Sequence, residues 1–224
     1  MQEHFTQEIE NLKTNLTKMA SIVDDMVERS INAIETGNVE LCKGIKAKDL
    51  EVDAYDNLIR TQCENILALF QPFASDLRFL ISSLMINNQL ERCGDIAVNI
   101  SQRIKKTYEY KSLIDESNIT EMAKKAKEML KKSIDAFVLK DINLANEVLI
   151  SDEEVDNLNK KAFKFLVETM QKNPSLIEPS SHLLILSRHI ERLADHATNI
   201  AENIVFYVDA KLITHYKKLG KIND

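Results

Sequence analysis

The sequence predicts an all-α protein built as a tandem pair of three-helix bundles. Four glycines and three prolines among 224 residues are too few for a turn-rich β fold. Apolar residues recur every three or four positions over long stretches, which is helical spacing. The second half repeats the first, so each half is expected to form one three-helix unit. We assign residues 1–112 to the first unit and residues 113–224 to the second.

The internal repeat is visible as short identical segments at a nearly fixed offset. The segment E-V-D recurs 103 positions later, beginning at Glu51 and again at Glu154. The pattern E-R-x-x-D-x-A-x-N-I recurs 100 positions later, beginning at Glu91 and again at Glu191. The change of offset places a three-residue deletion between the second and third helices of the second half.

Three long helices are predicted in the first half. The first carries an apolar stripe through Leu12, Leu16 and Met19 and ends before Gly37, a residue that favours helix ends. Asn38 is expected to cap the second helix, and Pro72 to separate the second from the third. The three helices are predicted at residues 5–36, 39–70 and 75–108.

The second half is expected to repeat this plan after a polar hinge. Asn118 and Glu121 have the spacing of a capping box at the start of the fourth helix. A turn is predicted at Lys140-Asp141, and Pro174 and Pro179 should bracket a loop before the last helix. The hinge is predicted at residues 111–117, the end of the fifth helix near residue 172, and the sixth helix at residues 180–219.

Each half contains two acid-x-x-x-acid pairs, one on its second helix and one on its third. Residues four apart share a helix face, and antiparallel neighbours would bring the two pairs toward one place. Glu91 lies seven residues after Leu84, so it continues an apolar stripe. The pairs are Asp49 with Asp53, Glu91 with Asp95, Asp152 with Asp156, and Glu191 with Asp195.

Carboxylates in a packing seam need positive partners, since an unpaired buried charge is destabilising by several kcal/mol. Arg92 and Arg192 lie about 100° around their helices from the adjacent glutamates, so they are not expected to be these partners. We therefore predict metal ions, and oxygen ligands favour magnesium, manganese, calcium or iron. Asn99 and Asn199 would add a carbonyl ligand or bridge helices, and His196 is expected at the surface. The alternative is that the acids are solvated or paired with Arg and Lys.

Composition excludes several functional classes. The net charge of −6 argues against nucleic acid as a partner, and no apolar segment is long enough to insert in a membrane. Cys42, Cys63 and Cys93 are odd in number and lack metal-site spacing, which favours a reducing, cytoplasmic location. There is no Glu-x-x-His pair, phosphate loop or nucleophile elbow, so catalysis is disfavoured. A carboxylate-bridged di-metal redox or iron-storage bundle remains the alternative.

The two repeated segments, together with Q-P-F-A-S-D-L-R beginning at Gln71, resemble the signature segments of the PhoU family. The resemblance covers essentially the whole chain, including its length and its duplication. The second half departs from the family pattern, because Ser180, Ser181 and His182 stand near the position that corresponds to the Asp-Leu-Arg of the first half. Cys93 stands where an aliphatic residue is expected.

The resemblance implies a non-enzymatic cytoplasmic regulator of phosphate uptake and homeostasis. It implies action with the ATPase of a phosphate ABC transporter, and negative regulation of phosphate-starvation signalling through a phosphate-sensing histidine kinase. It also implies a homodimer and metal clusters bound through the acid-x-x-x-acid pairs. Iron, manganese, magnesium and zinc are the expected metals, without a choice among them.

Overall fold

The computed structural model describes residues 2–210, and within that range the regular structure is helical and contains no strand. Residues 2–210 form six long helices and one short helix, which confirms the predicted fold class. They are α1 (Gln2–Thr36), α2 (Ile45–Phe70), α3 (Ser75–Thr107), α4 (Lys111–Glu116), α5 (Ile119–Leu139), α6 (Ile142–Lys172) and α7 (Ile177–Asp209). Short 3-10 segments lie at Val39–Cys42, Tyr108–Tyr110 and Pro174–Leu176.

The long helices form two bundles that share one hydrophobic core. Helices α1, α2 and α3 pack together in the first half, and α5, α6 and α7 pack together in the second. The halves meet where α3 packs on α7 and α1 packs on α5. Burying a Leu, Ile or Met side chain stabilises the fold by roughly 1.5–3 kcal/mol, so the continuous apolar cluster ties both halves into one unit.

Several predicted helix boundaries are confirmed by the capping geometry. Gly37 adopts φ 71° after α1, and its N–H donates to the carbonyl of Ala33 at 2.9 Å. Asp141 begins α6, because its Oδ1 accepts a hydrogen bond from the backbone N–H of Asn143 at 2.8 Å. The break around Pro72 separates α2 from α3 as expected.

The second helix begins later than predicted. Asn38 caps only the 3-10 turn Val39–Cys42, where its Oδ1 accepts from the N–H of Glu40 at 3.1 Å. Gly44 then adopts φ 80°, a left-handed conformation that interrupts the helix, and α2 starts at Ile45. The apolar stripe continued across this interruption, which is why periodicity alone did not reveal it.

Two predictions at the junction of the halves are wrong. The proposed hinge at residues 111–117 contains helix α4, which is held in place because Leu113 and Ile114 are buried. The predicted division between residues 112 and 113 therefore falls inside α4. The capping box at Asn118 is absent: this residue has φ 60° and its side chain makes no capping hydrogen bond.

The last helix begins at Ile177 instead of Ser180. Pro179 lies within its first turn, where a missing backbone N–H breaks no helical hydrogen bond. The helix ends at Asp209, followed by Ala210 at φ 57°. The predicted continuation to Leu219 lies outside the described residues.

Candidate functional site

The first acidic cluster consists of Asp49 and Asp53 on α2 and Glu91 and Asp95 on α3. Burial raises the pKa of Asp49 to about 6, with further contributions from the negative charges of Asp95 and Asp53. Gly94 permits this approach, because a Cβ at that position would lie 3.3 Å from Asp49 Oδ1. The acids of the two helices therefore face one another, as the sequence predicted.

Glu91 is the more enclosed acid on α3. Burial raises its pKa, the neighbouring Arg92 lowers it, and the charges of Asp95, Asp56 and Asp53 raise it. The carboxylate of Asp56 accepts hydrogen bonds from Arg60 Nε at 2.8 Å and from the side-chain amide of Asn87 at 2.6 Å. Asp56 thus borders the cluster but already has two donors.

The second acidic cluster repeats the arrangement with Asp152 and Asp156 on α6 and Glu191 and Asp195 on α7. Burial is the main reason that the pKa of Glu191 is raised, followed by the charge of Asp195, while Arg188 lowers it. The pKa of Asp195 is raised by burial and then by Asp152 and Asp156. The eight predicted acids are therefore distributed in two clusters, one in each half.

The acids are only partly in the packing seam. Glu91 and Glu191 have side-chain exposures of 22% and 13%, whereas the side chain of Asp95 is 51% exposed. Asp53 and Asp195 are also exposed. Four residues of helix turn through about 400°, so the second acid of a pair is displaced by about 40° toward solvent.

Arginine side chains contact both clusters. Arg92 Nε lies 3.3 Å from Glu91 Oε2, and its Nη1 lies 3.8 Å from Asp95 Oδ2. The expectation that Arg92 points away from the acids is wrong, because its long side chain folds back along the helix. Arg188 Nη1 lies 2.5 Å from Glu191 Oε1. Sequence reasoning missed Arg188, although its position three residues before Glu191 was a readable signal.

The donor chemistry of both clusters suits a hard cation. Glu191 Oε2 is buried and accepts no hydrogen bond, so it is available to a positive ion. Glu91 Oε2 also accepts no hydrogen bond, but the guanidinium of Arg92 lies 3.3 Å from it. Within residues 2–210, however, no three Asp, Glu, His or Cys side chains converge closely enough to coordinate an ion. An ion bound here would therefore need the carboxylates to rotate toward one another across the facing helices.

The residues flanking the second cluster belong to the contact between halves. His196 is half-buried instead of lying at the surface: its Nδ1 is 2.7 Å from Gln89 Oε1, and burial, Arg192 and Arg92 lower its pKa to about 4. The side-chain amide of Asn199 donates to the same Gln89 oxygen at 3.2 Å. Of its two predicted roles, Asn199 thus takes the helix-bridging one.

The protein thus belongs to the class of tandem three-helix bundles in which each half carries a facing set of acid pairs. The chain is a member of the PhoU family, because the family model described as PhoU domain matches residues 16–104 and 119–204. Among the described residues, no helix is both long and apolar enough to cross a membrane.

Relatives match nearly the full length of the chain. A protein of Caulobacter vibrioides, named phosphate-specific transport system accessory protein PhoU homolog, is 34% identical and covers 96% of this chain and 95% of its own. A relative of the same name from Aquifex aeolicus is 33% identical, with coverage of 93% and 95%.

Solved structures share the architecture. The crystal structure of PhoU from Pseudomonas aeruginosa has a TM-score of 0.86 at 29% identity, covering 92% of this chain and 100% of that one. The phosphate transport system regulatory protein PhoU from Streptococcus pneumoniae has a TM-score of 0.82 at 26% identity, covering 94% and 99%.

Proposed function

We propose that this chain is a non-enzymatic cytoplasmic accessory protein that regulates phosphate uptake. The observation that carries the proposal is the near full-length match, at 34% identity, to a relative named for phosphate-specific transport. Both halves contribute, since each contains a matched PhoU domain segment. The proposed partners are the ATPase of a phosphate ABC transporter and a phosphate-sensing histidine kinase. The protein would act as a homodimer and restrain the kinase when phosphate is plentiful.

Deleting the gene tests the regulatory role. In phosphate-replete medium we expect the deletion strain to express phosphate-starvation genes at a raised level, measured with a phosphatase reporter, and to accumulate excess phosphate. Expression of the intact chain from a plasmid should restore both readouts. Unchanged reporter activity and unchanged phosphate content in the deletion strain would contradict the proposal.

We further propose that each acidic cluster binds a hard divalent or ferric cation. The first would use Asp49, Asp53, Glu91 and Asp95, and the second Asp152, Asp156, Glu191 and Asp195. Support comes from the raised pKa of Asp49 and from the buried Oε2 of Glu191, which accepts no hydrogen bond. Concentrated negative charge without enough donors is relieved when an ion is bound.

Elemental analysis of purified protein tests the metal proposal one cluster at a time. Replacing both Asp53 and Asp95 by Asn should remove the metal of the first half only, and replacing Asp156 and Asp195 should remove that of the second. Glu51→Gln is the matched control, since Glu51 is an exposed acid of α2 outside the cluster. Equal metal content in all variants would eliminate these residues as ligands. Ferrous oxidation by the iron-loaded protein would instead support a redox or storage role.

A further inference from the structure

Arg188 distinguishes the second acidic cluster from the first. Its Nη1 donates a hydrogen bond to Glu191 Oε1 at 2.5 Å. Burial raises the pKa of Glu191, the charge of Asp195 raises it further, and Arg188 lowers it. The pKa of Asp195, which is raised by burial and by the two acids of α6, is also lowered by Arg188 and then by Arg192. A positive charge of the chain itself therefore already acts on both acids of α7.

The first half has a neutral residue at the position of Arg188. The offset of 100 aligns Arg188 with Asn88 on α3. Arg92 does lie 3.3 Å from Glu91 Oε2, but that oxygen accepts no hydrogen bond, and the repeat retains this arginine as Arg192. The two clusters thus contain matching acids, and the second has an additional guanidinium.

A second positive charge distinguishes α6 from α2. Lys160 lies one helical turn after the second acid of the α6 pair, and the offset of 103 aligns it with the neutral Asn57. Lys160 and Arg188 both line a groove of about 530 Å³ between α6 and α7. The additional acid of the first half, Asp56, is itself neutralised by Arg60, whose Nε donates to it at 2.8 Å. The surroundings of the second cluster are therefore the more positive.

The contact with Arg188 also restrains the carboxylate of Glu191. In the described part of the chain the acids do not yet converge on one point, so a bound ion needs Glu191 to turn toward α6. Its Oε2 accepts no hydrogen bond, but its Oε1 is held by Arg188. An ion must therefore overcome repulsion by a guanidinium and also disturb a charge-assisted hydrogen bond.

We propose that Arg188, together with Lys160, is a built-in counter-cation that makes the second cluster the weaker of two cation sites. The inference rests on the proposed binding of a cation by each cluster. When free metal becomes scarce, the second half loses its ion first and the first half keeps its own. One unit charge beside a divalent ion in partly hydrated surroundings corresponds to a difference of about three- to tenfold in affinity.

Equilibrium dialysis of EDTA-stripped full-length protein against Mn²⁺ tests the proposal. We expect two classes of sites whose dissociation constants differ by at least about threefold. Replacing both Asp53 and Asp95 by Asn should remove the tighter class. Replacing both Asp156 and Asp195 by Asn should remove the weaker class.

Exchange of the residues at the repeated position identifies the cause. Arg188→Asn introduces the residue of the first half and should tighten the weaker class by about three- to tenfold, with the tighter class unchanged. Arg188→Lys is the matched control, because it retains the positive charge and should leave the weaker class nearly as weak as in the parent. The reciprocal change Asn88→Arg should weaken the tighter class. Circular dichroism verifies that each variant is folded.

The possible outcomes separate this inference from the proposal on which it rests. Equal affinities at the two clusters, or an Arg188→Asn variant whose second cluster binds Mn²⁺ no more tightly than the parent, would overturn the inference alone. Weaker binding by Arg188→Asn would show that the arginine orients Glu191 for the ion, which is the opposite role. If the parent protein binds no Mn²⁺, both the inference and the proposed cation sites are wrong.

Discussion

Asp49 shows at the scale of one residue how the fold concentrates negative charge. Its carboxylate rests where Gly94 leaves space, beside the charges of Asp95 and Asp53, and its pKa rises to about 6. The second half has Ala194 in place of Gly94 by the same repeat, so a methyl group stands there where the first cluster has none. Asp49 is therefore the acid of the first cluster at which the effect of crowded charge can be measured.

The raised pKa of Asp49 makes the stability of the metal-free protein depend on pH. Folding raises this pKa from 3.8 to about 6, so between these values the folded state binds more protons than the unfolded state. The free energy of unfolding should therefore fall as pH rises from about 4 to 6, and then remain level. After allowance for solvent screening, the loss is about 1–2 kcal/mol.

Replacing Asp49 with Asn should remove this contribution. In EDTA-treated protein, Asp49→Asn should be more stable than the parent at pH 7.5 by about 1–2 kcal/mol and nearly equal to it at about pH 4. Urea unfolding followed by circular dichroism measures both values. Glu51→Gln, an exposed neighbour on α2, should follow the parent at each pH. An equal difference at the two pH values would show that Asp49 is not responsible.

The helices that carry the acid pairs, and the facing of those acids, were predictable because a spacing of four places both acids of a pair on one helix face. The contacts of arginine side chains with these acids were not predictable. A flexible side chain such as Arg92 reaches an acid that is 100° away around the helix, and only the packed structure shows which rotamer it adopts. Phe163 occupies the position of Arg60 by the offset of 103, but the groove that it lines between α6 and α7 required the tertiary structure.

At the scale of elements, the α3–α7 contact joins the two halves in antiparallel order. Phe79 packs against Tyr207 near one end, with ring centroids 5.3 Å apart. Arg103 lies 3.2 Å from His182 near the other end, and Gln89 binds His196 and Asn199 between them. Helical periodicity predicted that these helices have apolar faces, but it does not state which faces meet.

Gln89 should contribute more to the stability of the fold than its place on a repeated helix suggests. Gln89→Ala removes the oxygen bound by His196 and Asn199 and leaves both side chains without that partner in the contact between halves. We expect the free energy of unfolding to fall by about 1–3 kcal/mol, measured by urea denaturation. Gln102→Ala, an exposed glutamine on the same helix, should change it by less than about 0.5 kcal/mol. Similar losses in both variants would contradict a specific role for the cross-half hydrogen bonds.

At the scale of the whole molecule, neither half is expected to be a stable monomer alone. A fragment of residues 1–112 would expose the face of α3 that packs on α7 and the face of α1 that packs on α5. Because α3 and α7 are equivalent members of the repeat in antiparallel contact, the fragment should pair with itself through α3. Light scattering should report a dimer whose unfolding midpoint rises with concentration, whereas a folded monomer at micromolar concentration would refute this.

The antiparallel contact between the equivalent helices α3 and α7 bears on how the two-unit chain evolved. An ancestral gene encoding a single unit would already have produced a symmetric pair held by this surface. Fusion of two copies would then have made the pairing permanent, after which the two copies no longer needed identical surfaces. In the first half Arg60 donates a hydrogen bond to Asp56, whereas the exposed Phe163 stands at the position of Arg60 in the second half. This is the kind of divergence that fusion permits.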